Sequence, residues 1–240
     1  MSTANTALIE EFSAEAETEK NHARGASSVS DSMAVDIKLA SIPKEERASM
    51  RKALGFVKRA LKLSNGGDHQ GGAKYALKAL DLAPDAAMPN HAVGLLLFRL
   101  GRLSKALEFY ERAWKADPSD AEIYLNMGIV AWKLDMLEAA EKFYRLCHQV
   151  QPENLDGIIN LASVLRDQAR FEDAIEILRL EIFKRPEVVE LWNSLGTVLA
   201  DSGDPVGATP FYLEALRIKP DFSRAHNNLA NVYELTGEPV

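Results

Sequence analysis

A single cysteine, Cys147, is the whole thiol content of the 240-residue chain, so no internal disulfide can form. That fits a reducing compartment. Long hydrophobic runs are also absent: the strongest, residues 92–98, stops at Arg99 and is far too short to span a bilayer. Residues 1–20 lack the basic patch and apolar stretch of a secretory signal, so a cytoplasmic location is expected. There is no excess of positive charge. The net charge is −7, which argues against nucleic acid as the main partner. The five histidines, His22, His69, His91, His148 and His226, show no metal-ligand spacing with one another. Gly66-Gly67 and Gly71-Gly72 are not followed by Gly-Lys-Ser/Thr, so they make no phosphate loop. No catalytic residues, metal site, cofactor or membrane partner are expected, and the chain itself does not read as an enzyme.

What the chain has is a period of 34 residues. Gly94, Gly128 and Gly196 occupy one place in it; Pro84, Pro118, Pro152, Pro186 and Pro220 occupy another. Ala106, Ala140, Ala174 and Ala208 keep the same register, as do Tyr110, Tyr144, Leu178 and Tyr212. A fixed period of this length means stacked copies of one supersecondary unit, a solenoid rather than a globule around one core. Each unit reads helix, turn, helix. Gly101 and Gly203 sit in the turns as helix C-caps, and the prolines end the second helix.

The chain divides at about residue 40. Residues 1–40 are acidic and rich in Ser and Ala, with a linker-like stretch at 25–32. By composition they are expected to be disordered, although Leu8, Ile9 and Phe12 allow a short helix over 6–22. Residues 41–240 form the solenoid: a degenerate repeat at 53–86, repeats at 87–120, 121–154, 155–188 and 189–222, and a partial one at 223–240. Residues 44–78 hold nine bases and three acids, so this end is either a solvated cap or a docking site for an acidic partner.

The unit resembles the tetratricopeptide repeat (TPR). Residues 189–222 match its pattern with Trp192, Leu195, Gly196, Leu199, Ala208, Tyr212, Ala215 and Pro220. Residues 121–154 match with Tyr124, Met127, Gly128, Ala131, Ala140, Tyr144 and Pro152, and place Cys147 at a small-residue packing position, where a buried, inert thiol is expected. Residues 155–188 depart at Ala162 and Glu181, so looser packing is expected there. The resemblance implies an all-α fold, a right-handed α-solenoid of helix-turn-helix units. It also implies a protein-interaction module that binds a polypeptide or helix in a concave groove lined by the first helix of each unit.

With core positions at 4, 7, 8 and 11 of a unit, helical geometry turns positions 5, 6, 9 and 12 toward the groove. Leu95, Phe98, Leu125, Ile129 and Trp132 then make an apolar row in its N-terminal half. Such a row marks a binding site for a partner helix or peptide, a seat for residues 37–42 of the chain itself, or plain core. Position 6 carries Asn126, Asn160 and Asn228, with Asn193 and Asn231 at positions 5 and 9. Side-chain amides in a row can hold a peptide backbone without reading its sequence; they can equally be bland surface. The row resembles the asparagine ladder in the TPR arm of O-linked N-acetylglucosamine transferase-like protein glycosyltransferases. That resemblance implies an alternative role: acceptor recognition, with flagellin-like proteins as plausible acceptors and a catalytic domain beyond residue 240.

The segment from Thr236 repeats that from Ser202, but the chain stops where the second helix would follow. Leu229, Val232 and Tyr233 are therefore expected to lack a partner. Either the chain is the N-terminal part of a longer protein, or this helix is a cap or a self-association surface.

Overall fold

The computed structural model describes residues 43–237. The segment 1–40, its helix at 6–22 and the proposed groove occupant at 37–42 lie outside the described residues. Among the described residues the structure is all α, with eleven helices and no strand. First helices alternate with second helices: α1 Lys44–Asn65, α2 His69–Leu82, α3 Ala87–Arg99, α4 Leu103–Ala116, α5 Ala121–Lys133, α6 Leu137–Val150, α7 Leu155–Asp167, α8 Phe171–Lys184, α9 Val189–Asp201, α10 Pro205–Ile218 and α11 Ser223–Thr236. No helix among the described residues is long and apolar enough to cross a membrane.

Every turn from a first to a second helix has one geometry. The N–H of residue 16 of the unit bonds the carbonyl of residue 11: Asp68 to Leu63, Arg102 to Leu97, Met136 to Ala131, Arg170 to Leu165 and Asp204 to Leu199. This closes the helix C-terminus by a six-to-one bond and requires a left-handed residue just before it. Gly67, Gly101 and Gly203 supply it, as expected; at the same place Asp135 and Ala169 adopt φ of 60° and 58° without being glycine.

The chain divides into two compact units, residues 1–126 and 127–240, with the division inside α5. In the first unit, Gly94 of α3 lies against the Tyr110 ring of α4, where an added Cβ would stand 2.7 Å from the ring. The degenerate repeat uses smaller residues on both sides. Ala60 and Ala76 replace the Gly–Tyr pair, and a Cβ on Gly72 would come within 2.9 Å of the Ala60 carbonyl oxygen. In the second unit the Gly–Tyr contact recurs at Gly128–Tyr144 and Gly196–Tyr212, with Cβ clearances of 2.5 and 2.6 Å. Cys147 is buried.

In repeat 155–188 Ala162 and Leu178 are both buried. The extra methyl at position 8 is matched by a smaller side chain at position 24, so the volume is conserved there; beside Glu181 a hollow of about 230 Å3 opens against Arg145 and His148 of the preceding repeat. One expectation is corrected: the C-terminal helix is not unpartnered. Leu229 and Val232 of α11 are buried in one cluster with Val189, Ala208, Tyr212, Ala215 and Phe222, and Tyr233 packs against it. The first helix of a unit buries its apolar side against the preceding unit, so α11 needs no second helix for that.

Candidate functional site

The first helices are fixed at their N-terminal ends by a repeated hydrogen bond. The residue at position 4 donates to the carbonyl of the proline six residues earlier: Asn90 Nδ2 to Pro84 at 2.7 Å, Tyr124 Oη to Pro118 at 3.1 Å, Trp192 Nε1 to Pro186 at 2.7 Å. His226 Nε2 lies 2.8 Å from the Pro220 carbonyl in the same arrangement. Ile158 holds this position in α7 and has no donor. There the Arg185 guanidinium reaches back instead, to the carbonyls of Pro152 and Glu153 at 3.2 Å each. The same guanidinium pairs with Glu181, which is 2% exposed and also takes a 2.8 Å bond from Lys184. Burial opposes ionisation of Glu181, but the bonds from Lys184 and Arg185 outweigh it and hold its carboxyl below the usual range. The departures at Ile158 and Glu181 are thus one coupled exchange.

Successive first helices are tied to one another at two levels, each by a pair of side chains 35 residues apart. One level joins position 5 to position 6. In the first unit Asn126 Nδ2 donates to His91 Nε2 at 2.9 Å and to the Glu122 carbonyl at 2.9 Å. Burial pushes the His91 pKa down, with Asp120 opposing, which suits a neutral acceptor ring. In the second unit Asn228 Nδ2 donates to Asn193 Oδ1 at 3.0 Å and to Thr197 Oγ1 at 3.2 Å. The other level joins position 12 to position 13. Arg99 Nη1 donates to Ser64 Oγ at 2.7 Å in the first unit. In the second, Trp132 Nε1 donates to Asp167 Oδ2 at 2.8 Å, and Arg166 pairs with Asp167 at 2.9 Å and with Asp201 at 3.4 Å.

These ties relocate several expected site residues. Leu95 is 8% exposed, Leu125 5% and Asn193 8%, so all three are buried rather than presented. The first helices lie side by side, and at position 5 His91 and Asn193 are engaged by position 6 of the next first helix; the burial of Leu95 and Leu125 removes two of the five members of the apolar row. Phe98 in the first unit, and Ile129 and Trp132 in the second, remain half-buried. Asn126, Asn160 and Asn228 are half-buried and Asn231 is exposed. Both amide hydrogens of Asn126 and of Asn228 are engaged within the fold. Asp167 and Asp201, which the residue-type reading passed over, are what holds the Trp132 and Arg166 side chains. Their only sequence signal is a carboxylate at position 13 of two successive repeats. Among the described residues no group of three metal-binding side chains is present.

The comparisons agree with this geometry. Family models described as TPR repeat and tetratricopeptide repeat match residues 94–135, 121–154 and 159–221. No curated protein matches the chain by sequence. Among solved structures it is similar to YrrB, a TPR protein with an unusual peptide-binding site, with TM-score 0.59 and 17% identity over 81% of this chain and 97% of that one. It is similar to MamA, with TM-score 0.61 and 19% identity over 72% and 94% of the two chains. It is also similar to pilF of Pseudomonas aeruginosa, with TM-score 0.67 and 16% identity over 80% and 87%. At these identities the likeness is one of fold, the TPR-type helical solenoid. With the repeat models, the 34-residue register and the Gly–Tyr contacts in agreement, the chain belongs to the tetratricopeptide repeat proteins.

Proposed function

We propose that this TPR chain is an interaction module that holds a polypeptide segment against the exposed side of its first helices, with Trp132 as the anchor. The observation that carries the reading is the Trp132 indole. It is half-buried, and its N–H is bound to Asp167, which is itself bound to Arg166. A ring fixed before binding loses little side-chain freedom on contact, and tryptophan and arginine are the residue types that most often dominate interface energy. Ile129 stands one turn before Trp132 on the same helix and extends the apolar contact. Asn160, Asn228 and Asn231 offer carbonyl oxygens and, at Asn231, an exposed amide to the backbone of the bound segment. That YrrB has a peptide-binding site on the same fold supports the class of ligand.

The test uses peptides selected on the full chain from a random displayed library. Their affinity should fall about tenfold or more for Trp132→Ala, some 1.4 kcal/mol. Asp167→Asn should give a smaller loss, because it weakens the hold on the ring but leaves the ring in place. Unchanged affinity for Trp132→Ala would remove this site.

A second reading makes the chain the acceptor-binding arm of a protein glycosyltransferase, with flagellin-like acceptors. The position-6 asparagines favour it. It stands second because Asn126 and Asn228 spend their amide hydrogens within the fold, Asn126 on His91 and on its own helix and Asn228 on Asn193 and Thr197, and offer a peptide only acceptor oxygens.

A further inference from the structure

Phe183 is 89% exposed and Leu180, one turn before it, is 55% exposed; both are on α8, a second helix, whereas Trp132 of our proposed site is on a first helix. A phenylalanine left in water forgoes the gain of burying its ring, so the protein carries an unsatisfied apolar knob. The same helix carries a shallow hollow of about 500 Å3, lined by Glu172, Ile175, Glu176, Arg179 and Leu180. Residues 172, 176, 179 and 183 follow one another at three- and four-residue spacing, and with Leu180 beside Arg179 they form a single exposed stripe. Along it the order is acid, acid, base, then two apolar residues.

That order is self-complementary when the stripe is reversed. If a second α8 lies antiparallel, with the two-fold axis between residues 177 and 178, Glu176 of each copy faces Arg179 of the other. Helical side chains lean by about one position toward their own N-terminus, so each Phe183 ring lies opposite the stretch between Glu172 and Ile175 of the other copy, both of which line the hollow. One two-fold operation therefore fills two hollows and forms two ion pairs, the isologous pattern of a homodimer. A parallel pair, or an unrelated flat surface, would satisfy neither the knob nor the charge order. We propose that α8 is the interface of a homodimer, built on Phe183 in the hollow beside Ile175 and on reciprocal Glu176–Arg179 pairs. One 14-residue helix, about 21 Å long, is at the small end of stable interfaces, so the dimer is weak and depends on concentration.

Sedimentation velocity on the full chain, over a series from roughly 5 to 500 µM, tests this in the range expected of a small interface. The wild type should shift from monomer to dimer across the series. Phe183→Glu should stay monomeric at the highest concentration, with its circular dichroism unchanged because the residue is exposed. Glu176→Arg should also stay monomeric, and Glu176→Arg with Arg179→Glu should recover dimer. A wild type that stays monomeric throughout overturns the proposal and leaves the face to a different protein. A dimer indifferent to Phe183→Glu overturns it as well, and so does a double swap that fails to restore what the single reversal loses.

Discussion

Ala169 occupies the left-handed position that Gly67, Gly101 and Gly203 fill in other turns. The conformation costs an alanine about 1–2 kcal/mol, and glycine would return part of that gain through its freer unfolded chain. Ala169→Gly is therefore expected to raise stability by about 0.5–1 kcal/mol, read as a higher urea midpoint at unchanged slope. Asp135 should gain less, because aspartate tolerates this region better than alanine. An unchanged midpoint for Ala169→Gly would mean that the turn relaxes at no cost. At the same scale, Arg185 shows how one side chain replaces two lost features. It covers the carbonyl that Ile158 cannot reach and neutralises Glu181 at a position where the repeat pattern has a small residue.

Between helices, the closest contact in a repeat is set by the pair at positions 8 and 24. Gly with Tyr and Ala with Leu are two solutions to one spacing, and both occur within the second unit. Gly128→Ala alone drives a methyl into the Tyr144 ring, which stands 2.5 Å from where the Cβ would be, and should cost about 1–3 kcal/mol. Tyr144→Leu alone leaves a void and should cost a similar amount. The double variant copies the Ala162–Leu178 pair, so it should be more stable than the sum of the singles predicts, by about 0.5–3 kcal/mol. Chemical denaturation of the four proteins closes the cycle. Strict additivity would show that the second helix shifts freely and that the pairing is incidental.

At the scale of the whole molecule, repeats contact only their neighbours, so a local lesion should stay local. Gly196→Val, placed against the Tyr212 ring, should speed amide exchange in α9, α10 and α11 while leaving α1 to α4 as in the wild type. Equal loss of protection in α1 would mean that the chain opens as one cooperative block. Much of this organisation was legible from the period alone, because every copy must meet the same neighbour and so repeats the same Gly, Ala, Tyr and Pro. The compensations were not legible. Leu178 offsets the added methyl of Ala162 and Arg185 neutralises Glu181, and the repeat pattern marks neither pairing. The face of the first helices was half legible. Helical phase separates positions 4, 7, 8 and 11 from the others, but cannot show that a neighbouring first helix covers position 5.

The sequence by itself determined the period, the helix-turn-helix unit, the glycine turns and the TPR class, since these follow from local propensity repeated at fixed spacing. Only the tertiary structure decided which side chains remain for a partner. Leu95, Leu125 and Asn193 are buried, and Asn126 and Asn228 each give an amide hydrogen to a first helix a whole repeat away in the chain. Trp132 stays half-buried because Asp167, 35 residues on, holds its indole. Exposure is a property of what stands beside a residue in space, and spacing along one helix does not contain it.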